Sequence, residues 1–115
     1  MRVAIIGQGY VGLTIAVDSA GAGHTVVGFD VNAELVKKLN VGHSHIEGIT
    51  DSHLGSLIES GSYSASSNPS TLEGCEVIVI AVPTPLDDQR NPDLSYVHAA
   101  ADLIAQHVQS PKLVV

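Results

Sequence analysis

The apolar positions fall into short blocks that alternate between two spacings. Val3-Ala4-Ile5-Ile6 and Val26-Val27-Gly28-Phe29 are unbroken apolar runs, as strands covered on both faces require. Between them Val11, Leu13, Ile15, Ala16, Val17 and Ala20 are apolar nearly all round a helix. That spacing predicts a helix from about Tyr10 to Ala20, ended by Gly21-Ala22-Gly23. The second strand should run over Thr25–Asp30. Asn32 is placed to cap a helix reaching about Asn40, with Leu35, Val36 and Leu39 inward and Lys37 and Lys38 outward. A loop over residues 42–50 follows, and Asp51 is expected to cap a short helix that carries Leu54, Leu57 and Ile58 and stops at Gly61.

The second half repeats the alternation. Ser62–Ser66 is a weak third strand, and Asn68-Pro69 opens a short helical turn with Pro at its first position. Glu76 to Val82 reads as a fourth strand buried on both faces. Pro83, Pro85 and Pro92 keep a helix from starting at once, so the loop over residues 83–93 is long. Asp93 or Ser95 then caps a helix to about Val108, with Val97, Ala100, Leu103, Ile104 and Val108 inward, and Ser110-Pro111 ends it. A fifth strand opens at Lys112 and is cut short at Val115, which reads as a fragment of a longer protein. Parallel strands joined by right-handed crossovers give an α/β fold, one domain over residues 1–115, with a doubly wound sheet of order 3-2-1-4-5. Ligands in such sheets bind beyond the carboxyl ends of the strands where the order reverses, here between strands 1 and 4.

Composition narrows the chemistry. Aromatic residues make up only 3% of the chain, so the core must be Val, Ile, Leu and Ala. Five basic residues against twelve acidic ones leave a net charge of −7, which argues against a nucleic-acid or membrane surface as partner. An anionic ligand must then be held by backbone dipoles. A single cysteine excludes an internal disulfide, and the N-terminal apolar run, broken at Gly7, is no signal peptide. The expectation is a soluble, cytoplasmic protein.

The first strand runs into Gly7-Gln8-Gly9-Tyr10-Val11-Gly12. In this spacing Gly7 permits a tight turn, Gly9 lets backbone approach a pyrophosphate, and Gly12 lets the helix pack close to the strand. The helix N-terminus then offers free N–H groups and partial positive charge to the phosphates. Asp30, 18 residues beyond Gly12, stands where the Rossmann-type fingerprint places the acid that accepts from the ribose hydroxyls. Val31 and Asn32 follow with no Arg for a 2′-phosphate, so the cofactor reads as NAD rather than NADP. The plain alternative for Asp30 is a helix cap or turn residue.

Gly7 to Leu13, Phe29-Asp30-Val31-Asn32, Val82-Pro83-Thr84-Pro85-Leu86 and Pro92-Asp93-Leu94-Ser95-Tyr96-Val97 together resemble the N-terminal domain of the nucleotide-sugar 6-dehydrogenases, the UDP-glucose/GDP-mannose dehydrogenase family. The resemblance covers essentially the whole chain. UDP-glucose members usually read Val-Gly-Thr-Pro where this chain has Val82-Pro83-Thr84-Pro85. With the loop from Gly42 to Glu47 and Arg90-Asn91-Pro92-Asp93, the chain looks more like members that oxidise UDP-N-acetylglucosamine or UDP-N-acetylmannosamine. The resemblance implies oxidation of a C6 alcohol to a carboxylate by two NAD molecules, through a cysteine-bound intermediate, for surface polysaccharides. It also implies that the catalytic cysteine and lysine, with most uridine contacts, lie in the later half of the family's chain, so that no catalytic residue falls here and this piece alone is inactive. The complete enzyme is expected to be a homo-oligomer. Carried over, the backbone from Gly9 to Gly12, notably Tyr10 and Val11, meets the pyrophosphate, Asp30 holds the adenosine ribose, and Val82, Pro83 and Thr84 line the path to the nicotinamide ribose. One departure is Leu35, where many members have Lys or Arg near the adenosine.

Other residues read more plainly. Cys75 is a small structural thiol by default. His43, His45 and His53 fit no zinc spacing, and no metal is expected. Arg90 is either a contact to a substrate phosphate or carboxylate or a solvated cation; Asp18, Asp87, Asp88 and Asp102 are solvated. Two other functions fit the glycine motif: an NAD-sensing regulatory domain, which does not need the proline loop, and the cofactor domain of a 3-hydroxyacid dehydrogenase, which predicts a different loop after strand four.

Overall fold

The computed structural model describes residues 1–110 and 112–115. Five parallel strands form one sheet in the order β3-β2-β1-β4-β5, as the alternation predicts. They are β1 (Arg2–Ile6), β2 (Thr25–Phe29), β3 (Tyr63–Ser66), β4 (Val77–Ile80) and β5 (Leu113–Val114). The helices are α1 (Tyr10–Gly21), α2 (Ala33–Asn40), α3 (Asp51–Glu59) and α4 (Ser95–His107), with a 3-10 turn over Pro69–Leu72.

Side chains alternate across the strands and divide the core in two. Val3, Ile5 and Val26 point to the face that carries α1, α2 and α3, where they meet Leu13, Leu39 and Leu54. Ala4, Ile6, Val27 and Phe29 point to the other face, with Leu72, Cys75 and Ala100. The crossovers β1-α1-β2 and β2-α2-α3-β3 cover one side, and α4 covers the other. This is the doubly wound arrangement, and it leaves the carboxyl ends of β1, β2 and β4 to meet the loops that follow them.

Local signals account for most boundaries. Asn32 accepts from the N–H groups of Glu34 and Leu35 and caps α2 as expected. Asn68 accepts from Ser70 N–H and opens the 3-10 turn, with Pro69 at its start. At the end of α1, Gly23 adopts φ +102 and the chain closes with His24 N–H on the Ser19 carbonyl.

Several expectations are corrected. Thr50, not Asp51, caps α3, accepting from His53 N–H. Asp51 turns back instead to the residues before the helix, accepting from Ser44 N–H at 2.9 Å and meeting His43 Nδ1 at 3.1 Å. In β4 only Ile78 is buried, while Val77, Val79 and Ile80 are half-buried. The reason is its neighbour: β5 is two residues long and exposed, so it gives little cover. In α1, Val11 is exposed rather than packed. The expected terminator of α4 includes Pro111, which lies outside the described residues. What holds the end of α4 is Glu73, whose carboxylate accepts from Gln109 N–H and from both the N–H and hydroxyl of Ser110.

Candidate functional site

The site grows from the turn after β1. Gly7 stands at φ +96, with its N–H on the Phe29 carbonyl at 2.7 Å. A Cβ there would lie 2.5 Å from the Ala81 carbonyl oxygen, so only Gly fits between β1 and the residues after β4. Gly12 is buried, and a Cβ on it would overlap the Gly7 carbonyl. Gly9 is the opposite case. Nothing lies within 4 Å of where its Cβ would stand, and no side chain caps α1. The turn therefore holds open space in front of unpartnered N–H groups at a helix N-terminus, which is where an anion is held.

Asp30 follows directly on β2. Its Oδ2 accepts from Gln8 N–H and its Oδ1 from Asn32 N–H, both at 2.9 Å. The cap of α2 is the Asn32 side chain, so Asp30 is not that cap. Its half-buried carboxylate faces the cleft, tied to the glycine turn on one side and to the start of α2 on the other.

Beneath this pair lies a group of residues that the sequence reading passed over. Gln8 is fully buried. Its Nε2 donates to the carbonyls of Ile5 and Gly7, at 3.1 and 3.0 Å. Its Oε1 accepts from the Tyr63 hydroxyl at 2.7 Å. Gly28 makes room for the contact, since a Cβ there would collide with both the Gln8 amide and the Tyr63 oxygen. Burial, and secondarily the charge of Asp30, push the Tyr63 hydroxyl well above its ordinary value, so it stays a donor. The available signals were a Gly inside a buried strand, which often marks a close approach, and one Tyr in a strand of small residues.

A cleft of about 600 Å³ opens over the turn. Gly7, Gly9, Tyr10 and Val11 form one side and Asp30, Val31 and Leu35 another. Val82 and Pro83 line it from the loop after β4, and Tyr96, Ala99 and Leu103 close it from α4. The structure thus brings seven of the nine expected residues together. Gly12 sits below the floor, and Thr84 is exposed on its loop without forming part of the wall. The α4 wall went unforeseen. No Lys or Arg lines the cleft, and its lining is chiefly apolar.

The loop after β4 is built rather than slack. Leu86 and Pro92 form an antiparallel bridge, and Asp87 Oδ1 accepts from Gln89 and Asn91 N–H, each at 2.9 Å. Asp87 is exposed, but it organises the loop. Arg90 sits at its tip with φ +63 and is exposed. Neither expected residue caps α4: Leu94 stands at the N-cap with no side-chain cap, and Asp93, one residue earlier, accepts from Ser95 N–H at 2.9 Å.

Cys75 lies just before β4, at the amino-terminal end of the strands, opposite the cleft. It is buried, and burial pushes its thiol up, against the opposing pull of Arg2 and Lys112. His43 is engaged with Asp51, while His45 and His53 are exposed elsewhere on the loop and α3. Among the described residues no group of three or more His, Cys, Asp or Glu gathers to hold a metal.

A parallel sheet with this switch point, an open glycine turn at a helix N-terminus and an acid at the end of β2 define a dinucleotide-binding α/β domain. The model of the UDP-glucose/GDP-mannose dehydrogenase family NAD-binding domain matches residues 1–115. The chain belongs to that family, and its cofactor is NAD. It is 37% identical over its full length to a UDP-N-acetyl-D-mannosamine dehydrogenase of Pyrococcus horikoshii, covering 28% of that protein. It is 34% identical, again over its full length, to a UDP-N-acetyl-D-glucosamine 6-dehydrogenase of Pseudomonas aeruginosa, covering 26% of it. The solved structure of a UDP-D-ManNAc dehydrogenase from Pyrococcus horikoshii superposes on 99% of the chain with a TM-score of 0.92 at 37% identity, which is 27% of that structure. The chain thus spans about a quarter of the length of the relatives it matches.

Proposed function

We propose that this chain is the cofactor half of a UDP-sugar 6-dehydrogenase that oxidises the C6 alcohol of a UDP-N-acetylhexosamine to the uronate. The observation that carries it is Asp30, fixed by two backbone N–H groups beside a glycine turn that is open where phosphates would lie. Asp30 takes the adenosine ribose hydroxyls on its remaining lone pairs. The N–H groups at the start of α1 take the pyrophosphate, with Tyr10 and Val11 beside it. Val82 and Pro83 border the nicotinamide end, with Thr84 exposed beyond them on the loop. Bound NAD supplies the hydride acceptor, and this chain's residues bind and orient it.

The substrate class rests on relatives whose names give N-acetylmannosamine and N-acetylglucosamine nucleotides, and on Val82-Pro83-Thr84-Pro85. The thiol chemistry belongs to another part of the enzyme, because Cys75 is buried at the amino-terminal end of β4, away from the cleft. No helix among the described residues is long and apolar enough to cross a membrane, and a cytoplasmic homo-oligomer fits the biosynthetic role.

Titration calorimetry tests the cofactor assignment. NAD should bind the 115-residue chain weakly and NADP more weakly still, and Asp30→Ala should lower NAD affinity by roughly 1–3 kcal/mol. Tight NADP binding without NAD binding would overturn the role of Asp30. For the substrate, a full-length enzyme that turns over UDP-glucose and neither UDP-N-acetylhexosamine would refute the assignment.

A further inference from the structure

The Gly7–Gln8 peptide is one rigid plane held at both ends. Its carbonyl, on Gly7, accepts from Gln8 Nε2 at 3.0 Å. Its N–H, on Gln8, donates to Asp30 Oδ2 at 2.9 Å. The side chain of Gln8 therefore grips the same plane that points the N–H at Asp30. The amide of Gln8 has two orientations, and only one puts Nε2 toward the carbonyls of Gly7 and Ile5. The two carbonyls select it, because they can only accept, and Tyr63 then anchors it, its hydroxyl donating to Oε1 at 2.7 Å. Both side chains are buried, so water does not replace either partner. Gly28 holds the passage between them open.

We infer that Tyr63 and Gln8 are positioning residues for the ribose carboxylate: Tyr63 anchors the Gln8 amide, the anchored amide holds the Gly7–Gln8 peptide, and that peptide aims Asp30 at the ribose hydroxyls. This rests on the reading of Asp30 as the ribose acid. The relay makes β3, which touches no part of the cleft, a determinant of cofactor affinity. It acts on the adenosine ribose and not on the phosphates, because the N–H groups at the start of α1 have no part in it.

The test uses the 115-residue chain with ADP and with 2′,3′-dideoxy-ADP as probes, affinities being read from chemical-shift titrations. Tyr63→Phe keeps the ring and removes the hydroxyl. It should weaken ADP roughly three- to tenfold, leave dideoxy-ADP unchanged, and add nothing to the loss caused by Asp30→Ala. Exchange of the Gln8 backbone N–H should quicken in Tyr63→Phe while that of β1 and β2 does not. The double variant Gln8→Leu with Tyr63→Phe separates positioning from folding. Removing both polar side chains should recover part of the stability lost in Gln8→Leu alone, which strands the Tyr63 hydroxyl, but not ADP affinity. Equal losses for ADP and dideoxy-ADP, or an unchanged ADP affinity in Tyr63→Phe, overturn the relay. If Asp30→Ala lowers ADP affinity and Tyr63→Phe does not, the relay fails and the ribose role stands. If Asp30→Ala has no effect, both fall.

Discussion

Gly12 packs directly onto the carbonyl of Gly7, so closely that a side chain at residue 12 has no room against that oxygen. The contact fixes how near α1 approaches the end of β1. It also fixes where the unpartnered N–H groups of the helix point.

Two neighbouring glycines should therefore separate stability from binding. Gly12→Ala forces backbone apart and should cost about 1–3 kcal/mol or more, seen as a lower denaturant midpoint. Gly9→Ala meets nothing within 4 Å and needs no unusual backbone angle, so its stability cost should stay below about 1 kcal/mol. Its Cβ would enter the space left for the pyrophosphate, and NAD affinity should drop sharply. Gly9→Ala binding NAD as the parent does would show that the phosphates lie elsewhere.

Leu35 lines the cleft on the same side as Asp30 and Val31 and is half-buried. Leu35→Lys places a cation where the chain has none. NAD should bind more tightly by about 0.5–1 kcal/mol, and NADP should gain more because of its extra phosphate. Competition titration of the two nucleotides gives the comparison. A loss for both would mean that Leu35 acts through apolar contact with the adenine.

Three carboxylates, Asp51 exposed and Glu73 and Asp93 half-buried, contribute to the acid limit of the fold. Asp51 is held below its ordinary value chiefly by Ser44 N–H, Glu73 by the Ser110 hydroxyl, and Asp93 by Ser95 N–H. A lowered folded value means that each contributes stability above its unfolded value, 3.8 for Asp and 4.5 for Glu, and loses it as pH falls through the folded value. The denaturant midpoint should hold steady from neutral pH to about pH 5 and then fall. Glu73→Gln should shallow that fall by releasing the end of α4. An unchanged acid limb would mean that the Glu73 contacts add nothing to folding.

Much of this was readable because the signals were local. Apolar runs marked the strands, Asn32 and Asn68 marked helix starts, and the glycine spacing with Asp30 marked the cleft. What escaped depended on partners far along the chain. Gln8 meets Tyr63 across 55 positions, and Glu73 reaches Ser110 across 37. Neither residue carries a local pattern that says so. The cap of α3 was misplaced by one residue because Thr50 and Asp51 are both good caps, and the choice was made by Asp51 binding Ser44 and His43. The resemblance groups Thr84 with Val82 and Pro83, but a shared motif does not fix which side chains line a cleft, and Thr84 is exposed off its wall.

The absence of Lys and Arg from the cleft lining, in a chain of net charge −7, gives the site an unusual response to ionic strength. On the proposed seating, what attracts the phosphates is a set of N–H dipoles acting over a few ångströms, a distance that dissolved ions screen poorly. What repels them is the distributed negative charge of the whole domain, which acts at longer range and which salt screens well, the Debye length being about 10 Å at 0.1 M. Added salt should therefore leave the attraction in place and remove the opposition, so that this domain holds its dinucleotide at least as well in concentrated electrolyte as in dilute buffer.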